Sequence, residues 1–167
     1  MDVRCRIELL GRLRVTQGNR EITRFRTQKT GALLGYLAYY IQSAHPREVL
    51  AEVVWPGEVP AAGRNSLSVA LSSLRHQLEP PGVDRGAIIQ ADRFAVQLSP
   101  AAVVTDVAEF EAAQRSAAEA SSDTEQAQFL AEAVELYAGE LLPGYYQDWI
   151  IPEQRRLADL HYRSCLP

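Results

Sequence analysis

The chain has 167 residues, 47% of them hydrophobic and 23% charged, with a formal net charge of −4. That length suits one ordinary domain, or a compact domain of about 100 residues with a smaller unit beside it, and the composition is that of a globular protein able to bury a core. No apolar run approaches the ~20 residues of a membrane span, the opening Met1-Asp-Val-Arg-Cys-Arg6 has no apolar signal-peptide core, and Cys5 and Cys165 share no motif, which predicts two free thiols in a cytoplasmic protein.

The net charge hides an asymmetry. Residues 1–100 hold thirteen Lys and Arg against nine Asp and Glu, whereas residues 101–167 hold four against twelve. A front half at +4 can approach phosphates; a back half at −8 is repelled by them.

Three short extended segments open the chain. Residues 6–10 alternate polar and apolar, Leu13 and Val15 continue the period of two, and Gln17-Gly18-Asn19 is a hairpin signal leading into residues 21–25, with Ile22 and Phe25 inward. The period then changes. Residues 27–41 place Leu33, Leu34, Leu37, Ala38 and Ile41 at helical spacing, with Thr27 able to cap. Pro46 suits the first turn of a second helix bearing Val49, Leu50, Val53, Val54 and Trp55, ended by Pro56-Gly57. A third helix is expected over residues 61–78, then a hairpin of residues 88–90 and 94–98 turning at Ala91-Asp92-Arg93. Beyond a boundary near Ser99-Pro100 the pattern is all helical: residues 106–120 with Val107, Phe110, Ala113 and Ala117 on one face, residues 123–137, and a last helix from near Pro152. The expected organisation is therefore an α+β winged helix-turn-helix domain over residues 1–100 and an all-α, TPR-like helical-repeat segment over residues 106–167.

The third helix carries the chemistry. Leu67, Ala70, Leu71, Leu74 and Leu78 form its buried stripe, and the opposite face presents Arg64, Asn65, Ser68, Ser72, Arg75 and His76. Small side chains let a helix backbone come close to the major groove, Asn can pair with adenine, and Arg can pair with guanine or phosphate. A plain solvated face is the alternative, although repeated serine on such a face is unusual because serine is a mediocre helix former. The order helix, short loop, helix, hairpin favours recognition, with Arg93 at the tip of a wing and Arg26 and Lys29 placed to clamp phosphates.

These segments resemble the Streptomyces antibiotic regulatory protein (SARP) family, which joins an OmpR-type winged helix to a bacterial transcriptional activator domain. The resemblance rests on Leu50-Ala-Glu-Val-Val-Trp-Pro56, on Gly63-Arg-Asn-Ser-Leu-Ser-Val-Ala-Leu-Ser-Ser-Leu-Arg75, and on Glu135-Leu-Tyr-Ala-Gly-Glu-Leu-Leu-Pro-Gly144 with Asp148-Trp149. It implies cytoplasmic binding to double-stranded DNA at bacterial promoters, commonly on direct repeats and hence as a homodimer or in tandem, with recruitment of RNA polymerase. It also implies that Arg64, Asn65, Ser68, Ser72 and Arg75 lie on the recognition helix, that Arg93 lies on the wing, and that residues 56–60 face polymerase. The family's members continue with further helices, so the chain is either a fragment of a longer regulator or a short version.

Enzyme chemistry finds no support. His45, His76 and His161 lack metal-ligand spacing to cysteine or carboxylate, no phosphate-cradling glycine motif occurs, and Ser66-Leu67-Ser68 lacks the glycines of a nucleophile elbow. No metal, cofactor or catalytic residue is expected. Two rival roles stay open: a protein-interaction scaffold whose winged helix does not use DNA, and an autoinhibited form in which the acidic half covers the basic one.

Overall fold

The computed structural model describes residues 4–166. The elements follow in the order β1 (Cys5–Glu8), β2 (Arg14–Gln17), β3 (Arg20–Ile22), α1 (Gln28–Tyr39), β4 (His45–Pro46), α2 (Arg47–Val54), α3 (Pro60–Leu78), β5 (Ile89–Ala91), β6 (Ala95–Leu98), β7 (Val103–Thr105), α4 (Asp106–Ala118), α5 (Asp123–Leu136) and α6 (Ile150–Ser164). They form two compact units. The first holds the stretch up to Ile7 together with Arg14–Val104; the second holds Glu8–Leu13 together with Thr105–Pro167.

The first unit contains a four-stranded sheet of order β3-β2-β1-β7 and a three-stranded sheet of order β4-β6-β5. The β2–β3 hairpin pairs Val15 with Ile22 and Gln17 with Arg20, and it turns at Gly18, whose φ of +62° is a conformation glycine adopts readily. The strand expected over residues 21–25 stops at Ile22, leaving Phe25 half-buried in the approach to α1. Thr27 caps α1 as expected, its Oγ1 accepting the Thr30 N–H at 3.1 Å. Two strands lay outside the sequence reading. β4 is only two residues long and includes a proline, and β7 lies beyond the expected boundary near Ser99-Pro100. Both depend on partners distant in sequence, Val96 and Ala95 for β4 and β1 for β7. Helices α1, α2 and α3 enclose a core that includes Leu33, Leu37, Leu50, Leu67 and Leu74, all fully buried. Each such side chain stabilises the fold by about 1.5–3 kcal/mol relative to an exposed one.

The second unit takes its three helices from the end of the chain and its remaining segment from the beginning. Asp106, a buried carboxylate in the first turn of α4, accepts the backbone N–H groups of Leu9 (2.8 Å) and Leu10 (2.9 Å) as well as that of Val107 (2.8 Å). Leu142 N–H donates to the Leu9 carbonyl at 2.8 Å, Gly11 N–H donates to that of Glu140 at 2.8 Å, and Leu10 bridges Leu141. Two glycines permit this approach. A Cβ on Gly139 would lie 2.9 Å from the Gly11 Cα, closer than real Cβ contacts come. Leu142 takes a φ of 45° while fully buried, so packing holds it in a backbone region that costs a non-glycine residue about 1–3 kcal/mol. Phe110 is fully buried with its ring 5.6 Å from Tyr137, on which His161 stacks at 4.1 Å.

Candidate nucleic-acid interface

Helices α2 and α3 are joined by residues 55–59. Trp55 N–H closes α2 on the Ala51 carbonyl at 2.8 Å, Gly57 turns the chain at φ +88°, and Pro60 opens α3 where no N–H is required. The helices approach closely at Gly63, where an added Cβ would meet the Ala51 side chain at 3.3 Å. Along α3 the buried residues are Gly63, Leu67, Ala70, Leu71, Leu74 and Leu78. Arg64, Asn65, Ser68, Val69, Ser72 and His76 are exposed on the other face. Between Asn65 and Ser73 that helix carries no charge at all.

Side chains from β2 and β3, and a backbone carbonyl in the approach to α1, hold the C-terminal end of α3. Gln17 Nε2 donates to the Leu78 carbonyl at 2.9 Å, Arg20 Nη2 donates to that of Gln77 at 2.6 Å, and Gln77 Nε2 donates to that of Arg24 at 2.8 Å. This lacing sets Arg26 beside the outer face of α3. Arg26, Ser68, Val69, Ser72, Ser73, His76 and Gln77 line an open concavity of about 720 Å³.

The wing is the hairpin β5–β6, in which Ile89 faces Leu98 and Ala91 faces Val96. Its tip is built by Asp92, whose Oδ1 accepts the N–H groups of Phe94 (2.7 Å) and Ala95 (2.8 Å). Those N–H groups hold the exposed Asp92 carboxyl below the usual carboxylate range. Arg47, at the start of α2, donates its Nε to the Asp92 carbonyl at 2.8 Å and its backbone N–H to that of Phe94 at 2.9 Å. Arg93 stands at the tip with its guanidinium 4.8 Å from the ring centroid of Phe94, itself 65% exposed.

Two expected contact residues are engaged elsewhere. Arg75 does not extend from the outer face: its Nη1 lies 2.6 Å from Glu79 Oε1 and 3.1 Å from the Ile89 carbonyl, with the side chain only 16% exposed. Its partner Glu79, 2% exposed, also accepts the N–H groups of Gly86, Ile88 and Ile89. Burial pushes the Glu79 carboxyl up, but the hydrogen bonds from Ile89, Ile88, Gly86 and Arg75 outweigh it and hold the group below its ordinary value. Arg75 therefore fastens α3 to the base of the wing. Lys29 donates Nζ to the Val54 carbonyl at 2.9 Å, where it caps the C-terminus of α2 and meets the negative end of that helix. Arg64, Asn65, Ser68, Ser72, Arg26 and Arg93 are all exposed, with Ser68, Ser72 and Arg26 sharing one concavity. Sequence reasoning passed over Val69, Phe94 and the Arg47–Asp92 anchor. The first two are apolar and carry no polar group that would single them out as contacts, and the third joins positions 45 apart.

A second, smaller cavity of about 180 Å³ lies over the α2–α3 junction, lined by Glu48, Ala51, Glu52, Trp55, Glu58, Pro60, Gly63 and Arg64. Its three carboxylates make it a poor surface for phosphate. Among the described residues no group of three His, Cys, Asp or Glu is placed to hold a metal ion, and no helix is long and apolar enough to cross a membrane.

No protein-family model and no curated protein sequence matches the chain. Among solved structures the chain is similar to Mycobacterium tuberculosis EmbR, determined in complex with a low affinity phosphopeptide. The likeness has a TM-score of 0.79 at 22% sequence identity and covers 97% of this chain. This chain spans 44% of the EmbR chain, and what the two share at that identity is the fold.

Proposed function

We propose that the protein is a sequence-specific, double-stranded-DNA-binding transcriptional regulator of the SARP type, a binding module rather than an enzyme, acting at bacterial promoters in the cytoplasm. The observation that carries this reading is the outer face of α3. A helix face that is exposed, uncharged between Asn65 and Ser73, and built of short hydrogen-bonding side chains is fitted to enter a major groove. Arg64 near its N-terminal end and Arg26 beside its C-terminal half supply cations where flanking phosphates pass, and Arg93 on the wing supplies another. Asn65, Ser68 and Ser72 are assigned to base edges, and Arg64, Arg26 and Arg93 to phosphate or minor groove. Arg75 and Lys29 are left out because their charged ends are anchored within the fold, on Glu79 and on the Val54 carbonyl.

The acidic cavity around Trp55 suits a protein partner better than DNA. With residues 55–59 beside it, this surface is assigned to RNA polymerase, which makes an activator the favoured sign of regulation. Binding in tandem on direct repeats, or as a homodimer, completes the proposal, with α4, α5 and α6 serving regulation or self-association.

Selection of the intact chain on a pool of random duplexes at two salt concentrations tests the reading. Enrichment of a repeated motif whose binding weakens steeply with salt is the expected result. Absence of enrichment at both salts would overturn it and bring forward the scaffold reading, which the −8 charge of residues 101–167 favours. That scaffold would retain a protein partner with little salt dependence.

A further inference from the structure

Between Asn65 and His76 the exposed face of α3 contains one side chain that cannot hydrogen-bond. Val69 is 38% exposed in the middle of an otherwise polar surface, flanked by Ser68, Ser72 and Ser73 inside the concavity that Arg26 borders. Resting on the DNA-binding reading above, we infer that Val69 is a specificity residue that reads the 5-methyl group of a thymine, within about two base pairs of the base read by Asn65.

The inference follows from what each neighbouring group can discriminate. A serine hydroxyl both donates and accepts, so Ser68, Ser72 and Ser73 fit the major-groove edge of any base pair and choose weakly among them. Asn65 can choose adenine through a bidentate pair. Valine has nothing to offer a polar edge and leaves it desolvated and unpaired, which costs affinity. Among the major-groove edges of the four bases, only thymine presents a methyl group, at C5. The short serines on either side let the α3 backbone come near enough for a methyl–methyl contact, which a lysine or glutamate at those positions would prevent. Val69 also lies one helical turn from Asn65 on the same face, a rise of about 6 Å. That is nearly two base steps of 3.4 Å.

The test uses the intact chain and the duplex enriched by selection. Each thymine of the enriched half-site is replaced in turn by deoxyuridine, which removes only the methyl, and binding of the wild type is compared with that of Val69→Ala. Burying one methyl predicts about a fourfold loss for the wild type at a single thymine, and near indifference of Val69→Ala to the same replacement. Circular dichroism of the variant confirms the helix, since alanine is the better helix former. Selection of a motif in which no uracil replacement matters, or in which Val69→Ala loses as much as the wild type, overturns the inference while leaving sequence-specific binding intact. Failure to select any motif overturns both readings.

Discussion

At the scale of single residues, the two thiols have opposite fates. Cys5 is fully buried in β1, and burial pushes its pKa up to about 11, against a smaller lowering by Arg20. Cys165 is exposed at the C-terminal end of α6. An alkylating reagent at neutral pH is expected to label Cys165 alone, with Cys5 becoming reactive only in denaturant, as peptide mass mapping would report. The polar residues of α3 divide in the same way. Asn65→Ala should weaken binding to the selected site by about 1–3 kcal/mol if its side chain pairs with a base. Arg75→Ala should instead lower the melting temperature, because it removes a donor from the buried Glu79, a change worth about 1–3 kcal/mol. A calorimetric melt and a binding titration on each variant separate these outcomes. On the wing, Arg93→Ala should reduce the salt slope of binding by about one phosphate contact, whereas Phe94→Ala should leave that slope alone.

At the scale of elements, Glu79 shows how α3 and the wing are joined and gives that joint a pH dependence. Its carboxyl is held below its ordinary value of 4.5 in the folded chain. The stability it contributes is therefore complete above pH 4.5 and is lost as pH falls through the lower folded value. Thermal melts of the wild type and Glu79→Gln should differ most at neutral pH and converge as pH falls from 4.5 through the lower folded value. This junction also marks the limit of what the sequence made legible. Helical periodicity located α1, α3, α4 and α5 within a few residues, because Leu33, Leu37, Leu67 and Leu74 repeat at one period and Thr27 announces a cap. Asn65, Ser68 and Ser72 could be placed on the outer face of α3 by the same arithmetic. Arg75 could not: its spacing suits the outer face, and only the position of Glu79 one turn later, bound to Gly86, Ile88 and Ile89, turns its side chain toward the wing. Strands β4 and β7 were likewise illegible, since two or three residues carry no period and their reason for existing is a partner tens of residues away.

At the scale of the whole chain, Asp106 is the residue on which the second unit turns. Asp106→Ala would leave the Leu9 and Leu10 N–H groups without their acceptors in a buried setting, at about 1–3 kcal/mol for each. A fall in melting temperature of several degrees, with the far-ultraviolet spectrum preserved at low temperature, is the expected outcome. Gly139→Ala should be destabilising for a different reason, since its new methyl would press on the Gly11 backbone. The placement of Glu8–Leu13 with Thr105–Pro167 has a consequence in time as well as in space. On a ribosome, Leu9, Leu10 and Leu13 are made more than ninety residues before α4. At an elongation rate of about 5–20 residues per second they wait about 5–20 s for the carboxylate of Asp106 that will receive them. During that interval the nascent chain offers a short apolar segment that any passing copy of α4 can capture. Slowing elongation is therefore expected to raise the yield of chain-exchanged dimers, which size-exclusion chromatography of the translation product would report.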